Sequence, residues 1–214
     1  MKCDKKELLL YGVTDRSWLK NETVYDQVKK ALDGGATFIQ LREKELSDQE
    51  FLEEAKEIKE LCHEYHVPFA INDNVGIAKE IDADGVHVGQ SDMEALDVQE
   101  ILGEDKIIGV SCRSVEQAKL AQAHGASYLG VGAVFSTSTK ADAKAVSFDT
   151  LKEICEAVSI PVIAIGGISK ENVSQLKGSG ICGVAVVSAI FAQDDIVSAT
   201  KELKQEVLDM VAHD

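Results

Sequence analysis

Two aspartates in this 214-residue chain stand just past short apolar runs: Asp73 closes Ile71-Asn72-Asp73, and Asp92 closes Gly85-Val-His-Val-Gly-Gln-Ser-Asp92. If both runs are parallel strands, the two carboxylates reach one rim, where they repel each other unless a cation or a proton lies between them. Magnesium suits such a pair, because it often takes one or two protein carboxylates and completes its shell with water and substrate phosphates. Asp92 before Met93-Glu-Ala-Leu could instead serve as a helix cap alone. A cap needs no cations around it, whereas a metal–diphosphate complex does, and Arg42, Lys44 and Lys140 supply them. Arg42 and Lys44 are two apart at the exit of Phe38–Leu41, and an extended backbone would aim both into the same mouth. Arginine offers a fork for phosphate oxygens and lysine a mobile point charge. The competing reading of Arg42-Glu43-Lys44-Glu45 is a solvated loop.

Further polar groups stand at other apolar-run ends: Gln40, Asn72, Ser111, Thr137-Ser-Thr139-Lys140, Gly166-Gly167 and Val187-Ser188. Glycine lets an anion approach backbone amides, and a following helix start adds its dipole, so Gly166-Gly167 and Ser188 fit a phosphate site. A plain tight turn is the other reading of Gly-Gly. No Ser/His/Asp triad spacing is present. His63, His66 and His213 read as surface residues, and His124 precedes a helix-stopping glycine. His87 can pack inside the fold or bond to a neighbouring site residue. Cys112 has no base beside it in sequence and reads as structural.

The positioning elements are strands alternating with helices. Leu8–Thr14, Phe38–Leu41, the run after Pro68, the run around Val86, Ile107–Ser111, Tyr128–Val131, Val162–Ile165 and Gly183–Val187 are short and nearly all apolar. They read as buried strands. Helical spacing marks Thr23–Asp33, the segment after Ser47, the one after Asn74, Ser114–Ala123, Phe148–Val158, Lys170–Lys177 and Ile196–Val211. Ser47 with Glu50, and Ser114 with Gln117, form capping-box signatures. In helix Phe148–Val158, Phe148, Leu151, Ile154, Cys155 and Val158 form the apolar side. Strand–helix alternation of this kind predicts an α/β fold with a parallel sheet, and eight units favour a single closed (β/α)8 TIM barrel over a doubly wound open sheet. Gly35-Ala-Thr-Phe matches Gly125-Ala-Ser-Tyr, and Val67-Pro-Phe-Ala-Ile matches Ile160-Pro-Val-Ile-Ala-Ile, as a duplicated half-barrel would leave them. One domain over 1–214 is expected, with a polar lead-in at 1–7 and the last barrel helix at 196–211. Functional loops then belong at the carboxyl ends of the strands, where the candidate site residues fall.

Net charge is −15, from 37 acidic and 22 basic side chains, which argues against nucleic acid or anionic lipid as a partner. Five scattered cysteines without a C-x-x-C pair point to reduced thiols in the cytoplasm and to no zinc site. No apolar run approaches a membrane span, and nothing at the N-terminus reads as a signal peptide.

Taken together, Gln40-Leu-Arg-Glu-Lys44, Ile71-Asn-Asp73, Gly85-Val-His-Val-Gly-Gln-Ser-Asp92, Gly132-Ala-Val-Phe-Ser-Thr-Ser-Thr-Lys140, Ala164-Ile-Gly-Gly167 and Val187-Ser188 resemble the thiamine-phosphate synthase family along nearly the whole chain. The resemblance implies a transferase that joins a hydroxymethylpyrimidine diphosphate to a thiazole phosphate by dissociative substitution, with magnesium as cofactor. It implies that Gln40, Leu41, Arg42, Glu43, Lys44, Asn72, Ser111 and Lys140 hold the pyrimidine diphosphate. Asp73 and Asp92 would hold Mg2+, and Thr137, Ser138, Thr139, Gly167, Val187 and Ser188 the thiazole phosphate. Arg42, Lys44, Ser111 and Lys140 would carry the catalytic charge stabilisation. Small-molecule substrates are the expected partners, and a homo-oligomer stays open. Ser136 stands where the family commonly has proline, which should loosen loop closure without removing a contact. The rival readings are a thiazole tautomerase, which needs no diphosphate clamp, and a non-catalytic barrel that senses a phosphorylated thiazole.

Overall fold

The computed structural model describes residues 3–90, 95–136 and 145–212. Strands β1 (Leu10–Val13), β2 (Phe38–Leu41), β3 (Phe69–Asn72), β4 (Gly85–Val88), β5 (Ile107–Cys112), β6 (Tyr128–Gly132), β7 (Val162–Ile165) and β8 (Gly183–Val186) pair in parallel, each with the next. β8 returns to β1 through Tyr11↔Ala185 and closes the barrel, so the open-sheet alternative does not hold. The helices are α1 (Val24–Asp33), α2 (Asp48–Glu64), α3 (Val75–Glu80), α4 (Ala95–Leu102), α5 (Val115–Ala123), α6 (Phe148–Ala157), α7 (Ser188–Phe191) and α8 (Ile196–Val211).

Local chemistry explains where the helices start. Ser47 accepts from the Glu50 N–H while Glu50 bonds back to the Ser47 N–H, a reciprocal box. Thr23 and Asp26 make the same box at α1. Ser114 caps α5 by accepting from the Gln117 N–H, but the Gln117 side chain takes the Arg113 N–H instead, so that box is one-sided. The helix expected over Lys170–Lys177 is only a 3-10 turn at Val173–Leu176. Local side chains compete for its backbone there: Asn172 Oδ1 accepts from the Ser169 N–H, and Asn172 Nδ2 donates to the Gly167 carbonyl. In α6, Leu151 and Ile154 are buried as expected, whereas Phe148 in the first turn is 40% exposed.

The core has two shells. Ile39, Leu41, Phe69, Ile71, Val86, Val131 and Ala164 face outward and pack with the helix stripes, including Val28, Ala55, Ile58, Leu151 and Leu203. Tyr11, Val13, Phe38, Ala70, Tyr128, Ile163 and Ala185 fill the inside. Tyr11 stacks on Phe38 with ring centroids 4.4 Å apart. The interior is therefore a packed plug of rings below an open mouth, as barrels of this size require.

Candidate active site

The mouth at the carboxyl ends of the strands is a cavity of about 500 Å³. Gln40, Arg42, Asn72, Ser111, Gly167, Val187 and Ser188 all line it, gathered from β2, β3, β5, β7 and β8. Parallel register explains the convergence: Asn72 pairs with His87, and Ser111 with Gly130, so equivalent strand ends lie level.

Arg42 is half-buried, and its Nη1 donates to Asp15 Oδ2 at 3.0 Å. Asp15 Oδ1 also accepts from the Ser17 N–H, which ties the pair to the turn after β1. Lys44 is exposed and is not among the cavity-lining residues, contrary to the expectation that it points inward beside Arg42. The cause is Glu43. Its Oε1 accepts from the Lys44 and Glu45 N–H groups and turns the chain back, so strand alternation stops at Leu41. Burial alone would raise the Glu43 carboxyl. The Glu45 N–H and the Arg16 guanidinium outweigh it and hold the carboxyl below its ordinary value. Arg16 binds Glu43 at 2.6 Å and Glu54 of α2 at 2.6 Å, locking the β2 loop against that helix. Glu43 thus builds the loop from behind, and Leu41 belongs to the outer core.

Asp73 is exposed at the end of β3 with φ of 60°, and its Oδ2 accepts from Asn72 Nδ2 at 2.7 Å. An exposed rim carboxylate is the donor type a hard divalent cation takes. Asp92, the other expected metal ligand, lies outside the described residues, as do Thr137, Ser138, Thr139, Lys140 and His213. Among the described residues no three His, Cys, Asp or Glu side chains form a metal-holding group.

Gly166 and Gly167 have φ of 100° and 66°. A Cβ on Gly167 would come within 2.3 Å of the Ser136 carbonyl, and one on Gly166 within 2.4 Å of Ala133 Cβ. The pair therefore admits the β6 loop, which docks by Val134 N–H to Ile165 O and Phe135 N–H to Gly166 O, both at 3.0 Å. Val187 is the N-cap of α7 and Ser188 its first residue. A short extra helix after β8 is where barrels of this kind place a phosphate.

Several cavity residues had no place among the expected site residues. Gln90 donates from Nε2 to the Ser111 carbonyl at 2.8 Å, and Arg113 lines the wall one step past β5. His87, expected either to pack inside the fold or to bond to a neighbouring site residue, contacts Ser111 Oγ through Nε2 at 2.8 Å and Tyr128 Oη through Nδ1 at 2.9 Å. Arg113 carried a signal, a cation directly after a strand; Tyr11, which also lines the cavity, carried none. Burial pushes the Cys112 thiol up to about 12, which leaves no nucleophile there at neutral pH.

Residues 10–190 match the family model for thiamine monophosphate synthase. The thiamine-phosphate synthase of Ruminiclostridium cellulolyticum is 53% identical over 93% of this chain and 95% of its own length. That of Clostridium beijerinckii is 50% identical over 95% and 98%. The solved thiamine phosphate pyrophosphorylase of Pyrococcus furiosus superposes with a TM-score of 0.90 at 40% identity, covering 97% of this chain and 98% of that one. With the barrel closed and the strand ends converging on one mouth, the chain belongs to the thiamine monophosphate synthase family.

Proposed function

We propose that this chain, acting as one domain over residues 1–214, joins a hydroxymethylpyrimidine diphosphate to a thiazole phosphate, giving thiamine phosphate and diphosphate. The observation that carries the reading is the meeting of Arg42, Asn72 and Ser111 with Gly167 and Ser188 around one cavity of about 500 Å³. That volume lies in the range of small-molecule pockets. It offers a polar, cationic side for one phosphorylated reactant and a glycine and helix-start side for another.

In the proposed reaction the bond between the pyrimidine's methylene carbon and the diphosphate oxygen breaks, and its electron pair leaves with the diphosphate. The thiazole nitrogen lone pair then forms the new carbon–nitrogen bond, and no proton changes hands. Such a substitution needs no protein nucleophile. Arg42 meets the charge that grows on the leaving diphosphate, with Lys44 and Lys140 as further candidates, and Ser111 and Asn72 orient its pyrimidine end. Fixed donors at the mouth do this without reorganising as the bond breaks. Gly167, Val187 and Ser188, with Thr137, Ser138 and Thr139, hold the second reactant in line, which turns a two-body encounter into a local one. Gln40, Leu41 and Glu43 complete the pyrimidine side, the last two through the shape of the loop. Asp73 and Asp92 would hold Mg2+, which when bound adds positive charge against the diphosphate.

Small molecules are the proposed partners, in the cytoplasm, where the five free cysteines stay reduced. The net charge of −15 speaks against nucleic acid. Among the described residues no helix is long and apolar enough to cross a membrane. The test mixes purified protein, both substrates and magnesium, and follows diphosphate and thiamine phosphate. Stoichiometric release of both supports the reading. No product, or turnover of the thiazole phosphate alone, overturns it.

A further inference from the structure

The barrel interior holds a continuous hydrogen-bond chain from β2 to β5. Gln40 Nε2 donates to Tyr11 Oη at 2.8 Å. Tyr11 Oη lies 2.7 Å from Tyr128 Oη, Tyr128 Oη lies 2.9 Å from His87 Nδ1, and His87 Nε2 lies 2.8 Å from Ser111 Oγ. Gln40, Tyr11, His87 and Ser111 all line the cavity, Tyr11 while almost wholly buried, whereas Tyr128 is fully buried and does not reach it.

The fold makes room for this chain. Gly109 on β5 sits in register between His87 and Tyr128. A Cβ there would lie 2.3 Å from Tyr128 Oη and 2.5 Å from His87 Nδ1. On β6, a Cβ at Gly130 would lie 3.1 Å from His87 Cε1. Glycine at 109 is what lets the phenol and the imidazole meet across an intervening strand.

Proton counting gives the chain a direction. Each phenol has one hydrogen, and a buried hydroxyl hydrogen without an acceptor costs about 1–3 kcal/mol. Burial raises both phenol pKa values, so both stay neutral. Tyr11 accepts from Gln40 and must therefore donate to Tyr128. Tyr128 accepts from Tyr11 and must donate to His87 Nδ1. A neutral imidazole with an accepting Nδ1 carries its hydrogen on Nε2 and donates it to Ser111 Oγ. Ser111 is then left with its own hydrogen to offer to the cavity.

We infer that Tyr11, Tyr128 and His87 are positioning residues that hold Ser111 as a hydrogen-bond donor toward the ligand. The inference deepens the synthase reading, on which the ligand's identity rests. A donor suits an acceptor atom of the first reactant, a diphosphate oxygen or a pyrimidine ring nitrogen. The opposite polarity would turn the Ser111 hydrogen back toward His87 and face the ligand with lone pairs only.

The experiment reads the His87 tautomer in ligand-free protein by nitrogen-15 NMR of labelled histidine, with His87→Gln identifying the resonance. The expected result is the Nε2–H tautomer, changed to a mixture in Tyr128→Phe and, two links away, in Tyr11→Phe. The Nδ1–H tautomer in the unaltered protein would overturn the inference. Kinetics give a second readout. Tyr128→Phe should lower kcat about tenfold, leave the KM for thiazole phosphate unchanged, and cost nothing further in a Ser111→Ala background. Additive losses would overturn the relay as well. If Tyr128→Phe fails to fold, Tyr11→Phe carries the same kinetic comparison. The tautomer is measured without substrate, so an Nε2–H tautomer in a protein with no synthase turnover would sink the functional reading and spare the relay.

Discussion

Asp15 Oδ2 holds Arg42 Nη1 at 3.0 Å, so the cation at the mouth arrives already oriented. Asp15 comes from the end of β1 and Arg42 from the end of β2, and the Thr14 N–H bonding to the Gln40 carbonyl at 3.0 Å keeps those ends level. A side chain held before the ligand arrives loses less entropy when it binds. Asp15→Asn should therefore lower kcat/KM by roughly tenfold, about 1.4 kcal/mol, through looser placement of Arg42. Arg42→Ala should cost about a hundredfold or more, in line with loss of a fixed electrostatic contact. In steady-state assays the double variant should be no worse than Arg42→Ala alone. An additive loss would show that Asp15 acts by some other route.

The Arg16 fork sets two carboxylates against each other in their pH response. Glu43 has a lowered pKa, so its contribution to stability is present above the ordinary 4.5 and is lost as pH falls through its folded value. Glu54 is raised, chiefly by burial that Arg16 only partly offsets, and its Oε2 is buried without a partner. Its contribution has the opposite sign, present below 4.5 and lost as pH rises through its folded value. Urea unfolding at pH 7.5 should show Glu43→Gln destabilised by about 1–2 kcal/mol and Glu54→Gln unchanged or more stable. Both differences should shrink by pH 4. Equal destabilisation of the two variants at pH 7.5 would contradict the assignment.

How much of this could be read from residues alone depends on distance along the chain. The strands were legible because each is a short apolar run, and Phe38–Leu41 and Val162–Ile165 have the expected bounds. Rim residues such as Arg42, Asn72 and Ser188 were legible because a barrel places every strand end on one face. Lys44 departs from the inward aim that two-residue alternation predicts because the strand ends at Leu41 and the Glu43 carboxylate folds the loop back. The Tyr11–Tyr128 contact was invisible because its partners lie 117 positions apart and each reads as ordinary strand filling. Only the strand register brings them together, and Gly109, which makes space for them, reads in sequence as nothing more than a small residue in a strand.

Close packing at Gly167 can be separated from its backbone conformation. Gly167→Ala must accept φ of 66° and a Cβ 2.3 Å from the Ser136 carbonyl. Gly103 has φ of 97° with nothing within 4 Å of the added carbon, so Gly103→Ala isolates the conformational cost. That cost is about 1–2 kcal/mol. Gly103→Ala should lose this much in thermal or urea unfolding, and Gly167→Ala more, because the backbone at Ser136 must also shift. Only Gly167→Ala should also raise the KM for thiazole phosphate, by about tenfold or more, because the β6 loop has to move. An unchanged KM would mean that the loop's seat on Gly167 is not needed to hold that reactant.

Asp73 gives the metal proposal a variant that leaves the backbone alone. Its φ of 60° lies in the left-handed region, which asparagine adopts about as readily as aspartate. Asp73→Asn thus keeps the turn after β3 and removes only the charge, whereas alanine would add backbone strain. If Asp73 ligates magnesium for the diphosphate, the substitution should raise the magnesium concentration for half-maximal rate by about tenfold or more. Unfolding stability measured without metal should stay within about 0.5 kcal/mol of the unaltered protein, as for other exposed substitutions. The comparison is a magnesium titration of initial rate at saturating levels of both organic substrates. A magnesium dependence identical to that of the unaltered protein would remove Asp73 from the metal site and leave it as a turn residue that also receives the Asn72 amide.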